Sequence, residues 1–521
     1  MIFAHNMQYG FQMSDTSQQR AAIRLHDADN VIVATRRLES GTDLGETVTL
    51  EPVPSGHKVA TAAIAPGEPV IKYGQVIGVA SRSIEPGQHV HLSNVSMLES
   101  NASHDFAVDG SPTPLLPAER RRTFEGYVRE NGLVGTRNYI GIITSVNCSA
   151  TVSRAIANHY KTVGFGGRTN IDGVVALTHG TGCAIPTDTE GYLYLRRVLN
   201  GYARNPNFAA VLLIGLGCET NQISHLVDAY ELQDVPRLRT MTIQQVGGTR
   251  KTIEEGIRII DGMLDEIDAI KRQTVPLSGL KLALQCGGSD GYSGITANPA
   301  LGYASDLVVK HGGTAVLSET PEIYGAEHLL TRRAATPEVA GKLMGRIDWW
   351  RDYTARNGAE LNNNPSHGNK EGGLTTILEK SLGAVAKGGS MPLQAVYEYA
   401  EIIDTPGFVF MDTPGYDPVA VTGQVAGGCN MIVFTTGRGS VSGFKPAPCI
   451  KVATNNALYE RMSEDMDLNC GGIIDGSDSI PEAGERIFEL IIAVASGQKS
   501  LSETFDYGDN EFVPWQLGAV T

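Results

Sequence analysis

The 521-residue chain has no pair of cysteines spaced C-x-x-C, which excludes the common structural-zinc and thioredoxin-type patterns. It has no apolar run near the ~20 residues that a membrane span needs. Its opening, MIFAHNMQYGFQM, lacks a basic start, a long apolar core and a small-residue cleavage site. A secretory signal has all three, so a cytoplasmic protein is the expectation. Basic residues are in deficit: 42 Lys and Arg stand against 57 Asp and Glu, a formal net charge of -15. Sequence-independent nucleic-acid binding needs cations to neutralise phosphates, so that function class is excluded. The seven cysteines are odd in number and widely scattered, which speaks against a disulfide framework in a reducing compartment. Gly215-x-Gly217 and Gly437-x-Gly439 are fragments of a dinucleotide fingerprint, and neither completes G-x-G-x-x-G before a helix. A nicotinamide oxidoreductase is therefore disfavoured. There is no short-period repeat.

What is present is an ordinary globular composition, 41% apolar and 19% charged, on a chain long enough for two to four domains. The 60 glycines cluster after apolar runs and so mark strand-to-loop junctions. Residues 20–93 read as a small β domain, with strands expected at 23–25, 31–34, 48–50 and 59–60 and glycines between them. Residues 94–122 are a Ser-, Asn- and Pro-rich linker. Beyond it, 139–144, 173–177, 210–215, 280–284, 314–317, 408–411 and 431–434 are short apolar runs of the buried-strand kind. Helical stretches at 151–161, 252–271 and 482–496 lie between or after them. Strands separated by helices predict parallel sheets covered on both faces. The fold class is α/β, with a polar break around Pro276 dividing a middle domain, 123–272, from a C-terminal domain, 280–521.

The densest chemistry lies in Cys286-Gly287-Gly288-Ser289-Asp290-Gly291-Tyr292-Ser293-Gly294-Ile295-Thr296-Ala297-Asn298-Pro299. Its glycines let backbone approach a ligand, and its thiol, carboxylate, hydroxyls and amide answer no packing need. In open parallel sheets ligands bind beyond the carboxyl ends of strands. Cys148, Cys183, Cys218 and Cys286 each follow an expected strand. For any one of them, packing beside a glycine turn is the plainer account. Together they point to a site for iron, as a single ion or a cluster. Glu319 and Glu322 after the strand at 314–317 are candidates for metal or acid–base work, or simply acids at a helix start opened by Pro321. Lys370, in the polar loop 364–373, is a candidate base, and Arg438 a bidentate partner for a carboxylate. His26 and His57 sit on glycine-edged turns of the small domain, where satisfied turn residues are the plainer account of each.

These motifs together resemble the altronate/galactarate dehydratase family. The resemblance runs from about residue 20 to the end, through HDADN (26–30), GHK (56–58), IKYGQVIG (71–78), FEGYVRENGLVGTRN (124–138), HGTGC (179–183), IGLGCE (214–219), CGGSDGYSGITANP (286–299), NPSHGNKEGG (364–373) and TTGRGS (435–440). It implies an N-terminal SAF-type β-clip, a linker, a middle domain and a Rossmann-like C-terminal domain. The implied activity is iron-dependent removal of water from a sugar acid, giving a 2-keto-3-deoxy acid. The cofactor is then Fe(2+), with Mn(2+) as a replacement and an iron-sulfur cluster as another form. The partner is a small sugar acid, and the implied assembly is a homodimer. Within this reading Cys148, Cys183, Cys218, Cys286, Asp290 and Glu319 serve the metal. His179 and Lys370 are acid and base, Arg438 anchors a carboxylate, and Ser289, Asn298, Asn369, His26 and His57 contact substrate. PEIYGAEHLL (321–330) and VIKYGQVIG (70–78) are similar to the altronate type. The chain departs at Ser440–Lys445, where relatives have Thr-Pro-Tyr-Gly, and at His367, where Pro is common. A related hydroxy acid such as sulfolactate is therefore an alternative substrate, and a non-catalytic sugar-acid binding protein is the reading from another class.

Overall fold

The computed structural model describes residues 21–98 and 104–518. The small domain has strands β1 (Ala22–Ile23), β2 (Val31–Ala34), β3 (Lys58–Ala60), β4 (Pro69–Lys72), β5 (Gln75–Ala80), β6 (His89–Val90) and β7 (Val95–Ser96). They form two antiparallel sheets, β1-β2-β3-β6 and β4-β5-β7. The run at 48–50 makes only a single bridge, Asp43 to Val48. Val48 and Leu50 are exposed, so no burial rewards an extended pairing there. The β4–β5 hairpin turns at Tyr73 and Gly74, both at positive φ (62° and 67°). This is the geometry whose twist suits a two-residue hairpin.

The middle region contributes β8 (Thr123–Val128), β9 (Val134–Gly135), β10 (Tyr139–Thr144), β11 (Gly173–Leu177), β12 (Phe208–Gly215), β13 (Leu238–Thr242) and β14 (Gln273–Pro276). A parallel sheet runs β11-β10-β12-β13, and an antiparallel one runs β14-β8-β9. β10 and β12 are buried along their whole length, as expected for strands covered on both faces. The helical stretch at 252–271 divides in two, Thr249–Asp261 and Leu264–Ala269, with Gly262 between them.

The C-terminal region contributes β15 (Lys281–Cys286), β16 (Thr314–Leu317), β17 (Leu393–Tyr397), β18 (Gly407–Met411), β19 (Met431–Thr436), β20 (Cys449–Ala453) and β21 (Leu468–Asn469). All seven form one parallel sheet in the order β17-β18-β16-β15-β19-β20-β21. The chain leaves β15 toward β16 on one side and later returns to β19 on the other. The carboxyl ends of β15 and β19 therefore flank a topological switch point, the usual ligand crevice of such sheets. Three of these strands escaped the sequence pattern, among them the two-residue β21 at the sheet edge. β17 follows Pro392 and pairs with a register shift. β20 carries the fully buried Lys451 in mid-strand, which interrupts the apolar run.

The small domain is seated on the C-terminal one. A Cβ at Gly291 would lie 2.1 Å from the Gly56 carbonyl oxygen, so only glycine allows this backbone contact. Tyr292 donates its hydroxyl to the Ala34 carbonyl at 2.8 Å. Beneath them Lys58 and Lys72 each lie 2.9 Å from Glu379, and all three are fully buried. Thr375 adds two further donors to Glu379 at 3.0 and 2.7 Å. Burial alone would raise a carboxyl, but the two ammonium groups outweigh it and hold Glu379 well below the usual range.

Candidate active site

β15 ends at Cys286, buried at 2% exposure. Beyond it the loop closes on the end of β19: the amides of Gly437 and Arg438 both donate to Gly288 O, at 3.1 and 2.9 Å. Beyond β16 the chain turns through Glu319, at φ 70°, into a single 3-10 turn, Thr320–Ile323. A non-glycine residue in this region is uncommon and carries strain. Thr413 fixes it by accepting the Glu319 amide at 2.9 Å. The turn aims Glu319 and Glu322 at Cys286, so that one donor atom of each lies within 4.8 Å of the others.

Two buried lysines complete the group. Lys387 Nζ stands 2.8 Å from Cys286 Sγ and 3.7 Å from Glu319 Oε2. Lys380 Nζ stands 2.6 Å from Glu322 Oε1 and 2.7 Å from Asn364 Oδ1. Asn364 donates to the same Glu322 oxygen at 2.7 Å. Half-buried Asp417 opens the helix Asp417–Ala426 and accepts from Gln285 at 3.2 Å.

These surroundings split the acids. Burial pushes Glu319 well up, and the neighbouring Glu322 charge pushes it further. Burial also raises Glu322, but Lys380 and Lys387 overcome it and leave Glu322 below its ordinary value. Loss of water, with the Glu322 charge second, raises Asp417 to about 6. Burial pushes the Cys286 thiol up to about 11. Burial would lower Lys387, yet Cys286 and the two glutamates keep it above the usual lysine value. Acid–base chemistry needs acids of one cluster driven apart in this way.

A small cavity reaches this group. Cys286, Lys380, Ser289, Asp290, Ser293, Asn298, Tyr73 and Glu379 are in its wall. Ser289 Oγ is buried with no protein hydrogen-bond partner, and so is available to a donor or acceptor at the cavity. A divalent iron fits the donor set: one thiol sulfur, two carboxylates, and on Glu319 two buried oxygens without a hydrogen-bond partner.

The structure unites Cys286 and Glu319, with Ser289, Asp290 and Asn298 at the same cavity, and gives the other expected residues other surroundings. Cys148, Cys183 and Cys218 are exposed and follow β10, β11 and β12 of the middle sheet rather than the C-terminal one. Asp290 faces the cavity, but its oxygens hold its own loop, accepting from Tyr292 N, Ser293 Oγ, Thr454 Oγ1 and Asn455 Nδ2 at 3.0–3.2 Å. His179 lies in the middle domain with Nε2 2.9 Å from Thr144 O and Nδ1 accepting from Thr181 N. Backbone takes both nitrogens, so His179 fastens its own loop and is no free base. Asn298 is spent on Gly383 O and Thr435 Oγ1, at 2.9 and 2.5 Å. Asn369 is likewise spent on Ser289 O at 2.8 Å. Lys370 is half-buried on the short helix His367–Glu371. Arg438 is exposed and pairs with Glu371 at 3.1 Å, and Glu371 also meets His367 at 3.2 Å. His57 Nε2 lies 3.0 Å from Glu371 O. His26 accepts from Ala28 N at 3.1 Å inside the HDADN turn.

Sequence reasoning missed Lys380, Lys387 and Asp417. The available signal was Glu379-Lys380 inside Ile377–Val385, a helix buried at every position. Charges in such a setting are paired or functional.

Family models match all three parts of the chain: an altronate/galactarate dehydratase SAF domain at 20–98, a D-galactarate dehydratase/altronate hydrolase second domain at 126–268, and a D-galactarate/altronate dehydratase C-terminal domain at 277–520. An altronate dehydratase of Bacillus subtilis is 35% identical over 496 residues, 94% of this chain and 97% of that one. A galactarate dehydratase (L-threo-forming) of Escherichia coli K12 is 38% identical, over 92% of this chain and 93% of its own. A (2R)-sulfolactate sulfo-lyase subunit beta of Chromohalobacter salexigens is 32% identical, over 76% of this chain and 98% of its own. With full-length relatives and a domain match along nearly its whole length, the chain belongs to the altronate/galactarate dehydratase family of hydro-lyases.

Proposed function

We propose that the protein removes water from a sugar acid, D-altronate first and galactarate next, in an iron-dependent reaction that yields a 2-keto-3-deoxy acid. What carries the reading is the buried group of Cys286, Glu319, Glu322, Lys380 and Lys387 beside the sheet's switch point, on a chain of this family. Cys286, Glu319 and Glu322 would hold the iron, which when bound supplies Lewis acidity to the substrate's carboxylate and 2-hydroxyl oxygens.

The protein's own groups do the rest. Asp417, ionised above about 6, takes the proton from C2. The electron pair forms the C2–C3 double bond as the C3–O bond breaks. Lys387 Nζ gives the proton that lets the 3-hydroxyl leave as water. The enol then ketonises. Ser289 Oγ supplies a hydrogen bond to a substrate oxygen, and Lys380 holds Glu322 ionised.

Protein purified without oxygen and loaded with Fe(II) is offered altronate, galactarate and other aldonates, with and without chelator. Chelator-sensitive 2-keto-3-deoxy acid from one of them is expected. Sulfite released from sulfolactate, with no product from any sugar acid, would replace the dehydration reading with the sulfo-lyase one.

A further inference from the structure

The small domain carries a second group of ligand-type side chains, outside the machinery above. His57 precedes β3, and His89 and His91 lie two residues apart at β6. In a strand, positions i and i+2 share a face, and Val90 between them points into the core at 0% exposure. One ring nitrogen of each histidine lies within 4.8 Å of the others. The three ring centroids are 4.9 to 5.4 Å apart.

Hydrogen bonding settles which nitrogens face inward. His57 Nε2 lies 3.0 Å from the Glu371 carbonyl oxygen. A carbonyl only accepts, so the proton of neutral His57 is on Nε2 and its Nδ1 is an acceptor turned inward. It accepts from His89 Nε2 at 3.0 Å, a proton whose place a bound cation would take. A metal-bound imidazole is held in just this way, its far N–H on a backbone carbonyl and its near lone pair on the ion. His91 Nδ1 is buried with no hydrogen-bond partner. The adjacent cation, Lys58, is spent on Gly373 O at 2.7 Å and on Glu379.

We propose that His57, His89 and His91 form a site for a first-row divalent cation of the Zn(II), Fe(II) or Co(II) kind, where the small domain meets the 364–373 loop. Three imidazoles suit these ions and not Mg(II) or Ca(II). Three protein ligands leave a further position for water or a ligand oxygen, as in open metal sites. His89 and His91 are half-buried, so that position is reached from solvent. This site is separate from the Cys286 group and does not depend on the reaction assigned there.

The test is anaerobic Co(II) titration of the full chain, read by visible absorption and by metal content after desalting. Cys286→Ser and the double variant His89→Gln/His91→Gln are run beside it, with the single variant His91→Gln as a milder change. The expectation is one equivalent of cobalt that survives in Cys286→Ser with ligand-field bands and no sulfur charge-transfer band. It disappears in the double variant, weakens at least tenfold in the single one, and is not displaced by excess Mg(II). Cys286→Ser protein that retains no cobalt overturns the proposal. So does a folded double variant that retains as much as the parent. Because the readout is bound cobalt, an enzyme inactive on every sugar acid leaves the result unaffected.

Discussion

Asp417 and Glu319 belong to one group, yet their surroundings give them different protonation. Asp417 is raised only to about 6, whereas Glu319, without hydrogen bonds to its oxygens, is raised well beyond its ordinary value. A base works only when ionised, so kcat/KM is expected to be present above about pH 6 and to fall as pH drops through the Asp417 value. Asp417→Asn should lower kcat by about 10²–10⁴-fold and abolish that limb. An unchanged acid limb in Asp417→Asn would assign the base elsewhere. On stability the sign is opposite. The native state holds this proton more tightly than the unfolded chain does, so the contribution is present at low pH and lost as pH rises through the same region. Ser289→Ala removes one donor at the cavity wall. Its expected effect is a KM rise of roughly tenfold, one neutral hydrogen bond's worth, with kcat little changed, measured by steady-state kinetics.

The elements meet through loops, and the loops leave no slack. A Cβ at Gly437 would lie 2.1–2.5 Å from the Asp290 carboxyl atoms, the hub of the 286–299 loop. Gly437→Ala must therefore displace that hub, and overpacking of this kind costs typically ~1–3 kcal/mol. The variant should unfold at lower denaturant and lose activity out of proportion to that shift, both read on the same preparation. About half of the strands were visible in the sequence as short apolar runs. β17 and β20 were not, since Pro392 and the buried Lys451 broke their patterns. Lys380 and Lys387 were hidden for a related reason. A lysine on a helix or turn reads as surface unless its pairing is known, and Glu322 and Cys286 are 58 and 101 residues away in sequence.

At the scale of the molecule, the small domain is fastened by a buried charge triad. Lys58 and Lys72 converge on Glu379 with no water to screen them. Removing one member of such a group leaves uncompensated buried charge and costs about 3–5 kcal/mol. Glu379→Gln should therefore release the small domain before the rest unfolds. The check is limited proteolysis between β7 and β8, where the variant is expected to be cut faster than the parent. Equal cleavage rates would mean that the backbone contact at Gly291 and the Tyr292 bond suffice to hold the domain. The cavity beside Cys286 includes Tyr73 of the small domain and Glu379 of the triad, so the same variant should also lose activity.

By itself the sequence determined the α/β class, the β character of the first part and the family, and it singled out Cys286, Ser289 and Glu319 as candidates. These are properties of local composition and motif order, which survive without knowledge of contacts. Tertiary structure alone decided which chemistry-bearing residues lie together. It separated Cys148, Cys183, Cys218 and His179 onto another sheet, and spent Asp290, Asn298 and Asn369 on holding loops. It brought Lys380, Lys387 and Asp417 to Cys286, and His89 and His91 to His57. The reason is physical: a side chain's charge, proton and free lone pairs are set by neighbours within a few ångströms, and those neighbours come from distant positions in the chain.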